Sequence, residues 1–189
     1  MAFIDDYNRI KRGAQIITPK DIAAIIAATC IGKESKIVDA GGGSGALACF
    51  LANIAKEVTT YEIRKDFAEL VKQNAEKLKL KNIKVKNKDI TKGISEKNVD
   101  LVTLDFLDSW KALKHAEKAL KSGGFIAAYS PSITQNQRFL KEAAKYKTLK
   151  QVKTTEIIER EWILDELRAR PKNVQLVHTG FLTFLRKTE

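Results

Sequence analysis

Strand-like and helix-like segments alternate through the first 145 residues, and this alternation constrains the fold more than any other feature of the chain. Short apolar runs alternate with stretches whose apolar residues recur at helical spacing, as in Asp66–Leu80. Parallel strands need a crossover between them, so this order predicts a parallel sheet with helices on both faces. The predicted strands are Lys36–Ala40, Glu57–Ile63, Ile83–Asn87, Val99–Asp105 and Phe125–Ser130.

The C-terminal part follows a different pattern. Gln151–Glu161 and Leu176–Leu185 each have the composition of a strand, and no long helix separates them. Without a crossover they can pair only as antiparallel neighbours, so we expect a terminal antiparallel hairpin to complete a seven-stranded sheet. We divide the chain into an N-terminal segment, residues 1–17, and one α/β domain, residues 18–189.

Composition narrows the class of protein. The longest apolar run is far shorter than the roughly 20 residues that a membrane span needs, and the first residues, MAFIDDYNRIKR, are polar and charged. We therefore expect a cytoplasmic protein with no membrane partner. Cys30 and Cys49 lie in apolar helical stretches, which predicts two buried thiols and no disulfide. Only His115 and His178 are histidines, and no metal site is expected.

The formal net charge is +11, and the basic residues are unevenly placed. Lys72–Lys97 holds nine lysines against three acidic residues, a net charge of +6. Such a surface attracts polyanions, and nucleic acid is the first candidate. The alternative is a solvated lysine-rich surface without a specific partner.

A glycine-rich loop, GGGSG, follows the first predicted strand and precedes a helix. Glycines let the backbone approach a ligand without a side-chain clash. The loop satisfies the relaxed dinucleotide pattern G-x-G-x-x-A. With Asp39 it also reads D-x-G-x-G-x-G, which resembles the first motif of S-adenosylmethionine-dependent methyltransferases. Asp39 would hold either the loop or the amino group of the methionine moiety. The loop residues predicted to bind the ligand are Gly41, Gly43, Ser44 and Gly45.

Two further acidic residues follow the next two strands. Glu62 can accept hydrogen bonds from both ribose hydroxyls, and this position suits either ligand. Asp89 can accept from the adenine amino group while Ile90 packs on the ring. The alternative for Asp89 is a helix cap or turn residue. The three acids and the antiparallel tail together favour the Rossmann-like, class I S-adenosylmethionine-dependent methyltransferase fold.

Asp105 ends the fourth predicted strand, in LDFLDSW. Ligands of open α/β sheets lie beyond the carboxyl ends of the strands, so this carboxylate should point at the substrate beside the methyl donor. The segment is unlike the N-P-P-Y sequence of enzymes that methylate exocyclic amines. It also lacks a cysteine that could attack a pyrimidine ring.

A more specific resemblance extends from Arg12 to Lys187. The chain resembles the archaeal and bacterial tRNA (adenine-N1)-methyltransferases, which act on adenine 58 of the T-loop and in archaea also on adenine 57. HTGFLTFLRK is the most distinctive segment, because methyltransferases at large do not share it. The other matching segments are RGAQIITPKD, DAGGGSGAL, YEIRKDFAELVKQN, LDFLDSWKALKHAEKALKSGGF and AYSPSITQ.

The resemblance implies Asp105 as the catalytic carboxylate and Gln15 as a contact to S-adenosylmethionine, with S-adenosylhomocysteine as product. It also implies tRNA as partner and a homo-oligomer, a tetramer in the family. Thr18 stands where some members place an aromatic residue over the active site. The expected substrate or RNA contacts are Thr18, Arg168, Arg170 and Lys172.

The chain departs from the family at its start. Family members usually carry a small β-rich domain before the RG-x-Q segment, and about a dozen residues precede that segment here. We therefore expect a reduced form or a piece of a longer protein. Two other functions stay open: a small-molecule methyltransferase of the corrinoid-precursor type, and an inactive RNA-binding subunit. The retained Asp39, Glu62, Asp89 and Asp105 argue against the inactive subunit.

Overall fold

The computed structural model describes residues 2–13 and 15–189 and contains a seven-stranded mixed sheet. Its strands are β1 (Lys36–Ala40), β2 (Glu57–Tyr61), β3 (Ile83–Lys86), β4 (Val99–Leu104), β5 (Leu120–Ser130), β6 (Leu149–Glu156) and β9 (Phe181–Lys187), and β7 (Trp162–Leu164) pairs with β8 (Ala169–Pro171) outside it. Strands β1 to β5 pair in parallel, whereas β9 is antiparallel to both β5 and β6. The predicted architecture is confirmed.

The order of the strands places a crevice at one edge of the sheet. The order is β3-β2-β1-β4-β5-β9-β6, so the chain leaves β1 toward one side and later returns with β4 on the other. The carboxyl ends of β1 and β4 therefore lie side by side at a topological switch point, which is where open α/β sheets bind ligands. The glycine loop follows β1, and Asp105 follows β4.

Helices cover both faces of the sheet. They are α1 (Phe3–Tyr7), α2 (Pro19–Thr29), α3 (Ala46–Ala52), α4 (Lys65–Lys77), α5 (Leu113–Ala119) and α6 (Ile133–Ala143), with 3₁₀ turns at Ile90–Lys92 and Ser109–Ala112. Successive strand residues point to opposite faces. Ile37 accordingly packs in the cluster that contains α2 and α3, while Val38 packs in the cluster that contains α5 and α6.

The C-terminal hairpin is present, but its strands are shorter than predicted. Strand β6 ends at Glu156, and β9 begins only at Phe181. The intervening residues, 157–180, form an arm that contains β7 and β8. Its apolar side chains, including Leu164 and Leu167, are exposed and meet no core surface that could extend the main sheet.

Helix α2 begins at Pro19, directly after Thr18, and ends at Thr29, before the glycine at position 32. Cys30 follows the helix in a left-handed conformation with φ of 51°. The prediction of two buried thiols is therefore wrong for Cys30, whose position after the last helical turn leaves it exposed. Cys49, inside α3, is buried as expected.

Candidate active site

The glycine loop forms the first wall of the crevice. Gly41, Gly43 and Gly45 all have positive φ, at 86°, 51° and 80°, a conformation that residues with a Cβ rarely adopt. A Cβ atom on Gly41 would overlap the backbone carbonyl of Asp105, and one on Gly45 would lie 2.8 Å from Val71 Cγ1. The loop thus turns sharply between β1 and α3 because these positions lack side chains.

Asp39 lies beneath the loop and is 2% exposed. Its Oδ2 accepts a hydrogen bond of 2.7 Å from the Thr60 hydroxyl, and its Oδ1 accepts one of 2.6 Å from the Thr103 hydroxyl. Burial raises the pKa of this carboxyl, while the Thr103 and Thr60 hydroxyls favour the ionised form. Both oxygens are engaged by neighbouring strands, so the geometry favours the role of holding the loop over that of binding an amino group.

Glu62 forms the second wall, at the end of β2, and it lines the cavity. Its Oε2 accepts from the backbone N–H of Gly43 at 2.8 Å, and its Oε1 accepts from that of Arg64, also at 2.8 Å. These bonds fix the orientation of the carboxylate. Each carboxylate oxygen has a second lone pair, so both can still accept from a ribose hydroxyl.

Asp89 and Ile90 lie beyond the end of β3 and line the same cavity. Asp89 Oδ1 accepts from the Thr91 backbone N–H at 2.8 Å and from its hydroxyl at 2.7 Å, which caps the following 3₁₀ turn. The Thr91 bonds lower the pKa of Asp89. The cap and the adenine acceptor considered as alternatives are compatible, because the capping carboxylate also faces the cavity.

Asp105 closes the crevice on the β4 side. Its backbone N–H donates to the Ala40 carbonyl at 2.9 Å, which ties it to the residue before the glycine loop. Within residues 2–13 and 15–189, no donor is hydrogen-bonded to its carboxylate. Burial, with a smaller contribution from the charge of Asp39, raises the pKa of Asp105 to about 7. The carboxylate is therefore free to accept a hydrogen bond from a substrate.

The cavity has a volume of about 530 Å³, which places it within the usual range for small-molecule sites. Most residues on the rim of this cavity were not predicted from the sequence. Topology was the signal that could have identified them, because residues just after the carboxyl ends of the strands surround the crevice. The lining residues that were not predicted include Ile63, Arg64, Phe67, Lys88, Phe106, Leu107, Asp108 and Lys111.

Gln15 reaches this cavity from the N-terminal segment. Ser44 is 2% exposed, and its hydroxyl has no hydrogen-bond partner among the described residues. Among those residues, the cavity wall does not include Asp39, Ser44 or Gly45. The part of the glycine loop that lines the cavity is therefore Gly41 and Gly43.

The predicted substrate contacts lie elsewhere. Thr18 lines a separate cavity of about 370 Å³ between the start of α2 and the arm. Its hydroxyl donates to Asp21 at 2.8 Å. Arg168, Arg170 and Lys172 are exposed on the arm, where Arg168 pairs with Asp165 and Lys172 pairs with Glu161. The arm projects from the same end of the sheet as Asp105, because it joins β9 at Phe181, which pairs with Ser130 at the carboxyl end of β5.

These residues fit S-adenosylmethionine. The glycines of the turn have no side chains, so a ligand can approach the backbone closely. The Glu62 carboxylate is oriented to accept hydrogen bonds from a ribose. Asp89 can accept a hydrogen bond from a base, and Ile90 offers an apolar surface on which the base can pack. Across residues 2–13 and 15–189, no cluster of three potential metal ligands occurs, and no helix has the length and apolarity to span a bilayer.

Comparison with known proteins agrees with this site. The family described as "tRNA methyltransferase complex GCD14 subunit" matches residues 8–168. The tRNA (adenine(57)-N(1)/adenine(58)-N(1))-methyltransferase TrmI of Methanocaldococcus jannaschii is 34% identical, over 96% of this chain and 75% of that protein.

Two solved structures cover the whole chain. A SAM-dependent O-methyltransferase from Thermotoga maritima has a TM-score of 0.92 at 32% identity, with 72% of that chain covered. The tRNA (m1A58) methyltransferase TrmI from Aquifex aeolicus has a TM-score of 0.91 at 28% identity, with 77% covered. The fold and the crevice are those of a class I S-adenosylmethionine-dependent methyltransferase. Within that class, the chain belongs to the tRNA (adenine-N1)-methyltransferase family.

Proposed function

We propose that this enzyme methylates N1 of adenine 58 in the T-loop of tRNA, and adenine 57 as a second target. The observation that carries the proposal is the carboxylate of Asp105, which lines the donor cavity without a hydrogen-bonded donor among the described residues. The specificities of the archaeal and bacterial relatives support position 58, and that of the Methanocaldococcus jannaschii relative supports position 57 as well.

The reaction requires the protein to orient the two reactants and to stabilise the charge that develops on the adenine. S-adenosylmethionine supplies an electrophilic methyl group on a sulfonium. Adenine N1 already has a lone pair, so it forms the new N–C bond directly while the sulfur–carbon bond breaks and its electron pair stays on sulfur. Positive charge then develops on the purine. The Asp105 carboxylate can accept from the 6-amino group and stabilise that charge.

Access to N1 requires that the adenine leave the stack. N1 lies on the Watson–Crick edge, so the base must be turned into the pocket, as with other enzymes that modify bases. Cations on the cavity rim, Arg64, Lys88 and Lys111, are placed to meet the adjoining phosphates. Arg168, Arg170 and Lys172 are proposed as further RNA contacts, although residues 157–180 carry four basic and four acidic side chains and contribute no net charge.

The test is incubation of the protein with unmodified tRNA and a labelled methyl donor, followed by nucleoside analysis. We expect 1-methyladenosine, lost in a transcript with guanine at position 58 and reduced in one with guanine at 57. Another methylated nucleoside would contradict the proposal. Methylation of a small molecule in place of tRNA would favour the corrinoid-type alternative. Binding of tRNA without binding of the donor would favour an inactive subunit.

We also propose that the enzyme is a homo-oligomer in the cytoplasm, associating through the arm. The arm exposes a group of large apolar side chains, with Leu167 at 94% and Val174 at 89% exposure, and its balanced charge suits a protein contact. Light scattering should give a tetramer for the wild-type protein, and Leu164→Asp with Leu167→Asp should give smaller species. A wild-type monomer would contradict this.

A further inference from the structure

Asn74 is a polar residue on the otherwise apolar face of α4, and it is 1% exposed. Its carboxamide joins two separate segments. The side-chain Oδ1 accepts from the Lys11 backbone N–H at 3.0 Å, and Nδ2 donates to the Lys11 carbonyl at 2.9 Å and to the Ser44 carbonyl at 2.7 Å. The amide orientation is fixed, because the Lys11 N–H can only donate.

The first of these segments is the N-terminal strap, which we define as residues 8–13 and 15–17. Ile10 anchors the strap in a buried cluster with Tyr7, Ala46 and Leu78. Gly13 lies so close to α4 that a Cβ atom there would be 2.7 Å from Phe67 Cε1. Phe67 and Gln15 both line the donor cavity, so the strap forms one of its walls.

The second segment is the glycine loop, which also lines the cavity through Gly41 and Gly43. Ser44 lies between Gly43, whose N–H is bonded to Glu62, and Gly45, which packs on Val71 of α4. A shift of the Ser44 carbonyl would therefore change the position of the loop and of its bond to Glu62. The Asn74 carboxamide is thus hydrogen-bonded to the strap and to the glycine loop at the same time.

We propose that Asn74 is a positioning residue for the methyl-donor site. It holds the strap and the glycine loop at a fixed separation, so that both are already in place when the donor binds. It acts through Lys11 and Ser44 and does not line the cavity itself. The proposal rests on the assignment of this cavity to the donor. It is independent of which nucleoside is methylated.

A matched control exists in Asn82, which lies between α4 and β3. Its Nδ2 donates to the carbonyls of Ala52 and Ala55 at 2.7 and 2.9 Å, so it too ties a loop by its side-chain amide. It sits beside the amino end of β3, at the edge of the sheet opposite the cavity. Asn82→Leu should therefore weaken the fold without touching the donor site.

The experiment is calorimetric titration of S-adenosylhomocysteine and of 5′-methylthioadenosine, which lacks the amino-acid part of the ligand, into the full chain and its variants. For Asn74→Leu we expect a loss of about tenfold or more in affinity for S-adenosylhomocysteine. We expect a smaller loss for 5′-methylthioadenosine, because it keeps the ribose and adenine but lacks the amino-acid part of the ligand. Asn82→Leu should leave both affinities within about twofold of wild type, whatever its melting temperature.

Unchanged binding in Asn74→Leu, or equal losses in the two asparagine variants, would overturn the proposal. If Asn74→Leu does not fold, Asn74→Asp tests the same bonds with a smaller change, because a carboxylate keeps the acceptor for the Lys11 N–H and loses the donor to the Lys11 and Ser44 carbonyls. A loss of donor affinity in that variant supports the proposal, and unchanged affinity overturns it. Absence of binding to the wild-type protein would instead overturn the donor assignment itself.

Discussion

Gly41 packs directly against the backbone carbonyl of Asp105, so closely that a Cβ atom on Gly41 would overlap the carbonyl oxygen. The neighbouring residue strengthens this contact, since the Ala40 carbonyl accepts from the Asp105 N–H at 2.9 Å. The loop proposed to face the donor and the residue proposed to face the substrate therefore hold each other in place. Their relative position is set by backbone atoms and does not depend on side-chain flexibility.

Gly41→Ala should damage the donor site and the acceptor site together. The added methyl group must displace Asp105 or the loop, and we expect losses of about tenfold or more in both donor affinity and kcat. Gly123→Ala is the control, because Gly123 also has positive φ, at 76°, but its Cβ would lie 3.5 Å from Arg186 Nη2. That variant should cost about 1–2 kcal/mol of stability through the left-handed backbone alone. Full activity in Gly41→Ala, by steady-state kinetics, would show that the contact is not needed.

Asp105→Ala should separate catalysis from donor binding. The carboxylate lies on the rim of the cavity, and the donor contacts proposed for Glu62, Asp89 and the glycine loop do not pass through it. We expect turnover on tRNA to be abolished while donor affinity stays within about tenfold, or 1.4 kcal/mol. Single-turnover kinetics and calorimetry measure the two quantities. A collapse of donor affinity would make Asp105 a donor ligand instead.

The rate should depend on pH through Asp105. Its pKa is raised to about 7 by burial and by the charge of Asp39, and the ionised form is the one that can accept from the 6-amino group. Activity should therefore rise with pH and reach half its maximum near this value, as seen in kcat/KM. Asp39→Asn removes the neighbouring charge and should move the midpoint to lower pH. A flat profile from about pH 6 to about pH 8 would exclude this role.

Glu62→Gln should weaken the donor site. The carboxylate accepts two backbone N–H bonds at 2.8 Å, and an amide NH₂ group in its place would oppose one of them. Hydrogen bonds to a charged group are worth about 1.5–3 kcal/mol, so we expect donor affinity to fall by roughly 10- to 100-fold. Glu57→Gln is the matched control, since Glu57 begins the same strand and pairs with Lys84 at the opposite edge. Equal affinity in both variants would contradict the prediction.

The architecture of this protein could be predicted from sequence because it depends on local periodicity. Strands β1 to β4, and the helices between them, follow from apolar runs and helical spacing. Their order then placed Glu62, Asp89 and Asp105 at one edge without any knowledge of side-chain contacts. The arm was not predictable, because Ile158 and Leu176 alternate as strand residues do but find no core surface to pack against.

The role of Asp39 shows where sequence reasoning stops. An acid before a glycine loop suggests a ligand contact, yet its oxygens are occupied by Thr60 and Thr103, which lie 21 and 64 residues away in the chain. Nothing in the spacing of these threonines indicates that they meet Asp39. Asn74 is similar, because a lone asparagine on an apolar helix face does not reveal that Lys11 and Ser44 are its partners.

The two cysteines differ in a way that gives experimental access to this enzyme. Burial raises the pKa of Cys49 to about 12, so its thiol stays protonated and unreactive at neutral pH, whereas Cys30 is exposed after the last turn of α2. Cys30 precedes β1, whose amino end lies opposite the edge that carries the crevice. A single maleimide fluorophore can therefore be attached at Cys30 away from the crevice, and binding of a large ligand such as tRNA can be followed by the slower tumbling of the label without engineering the chain.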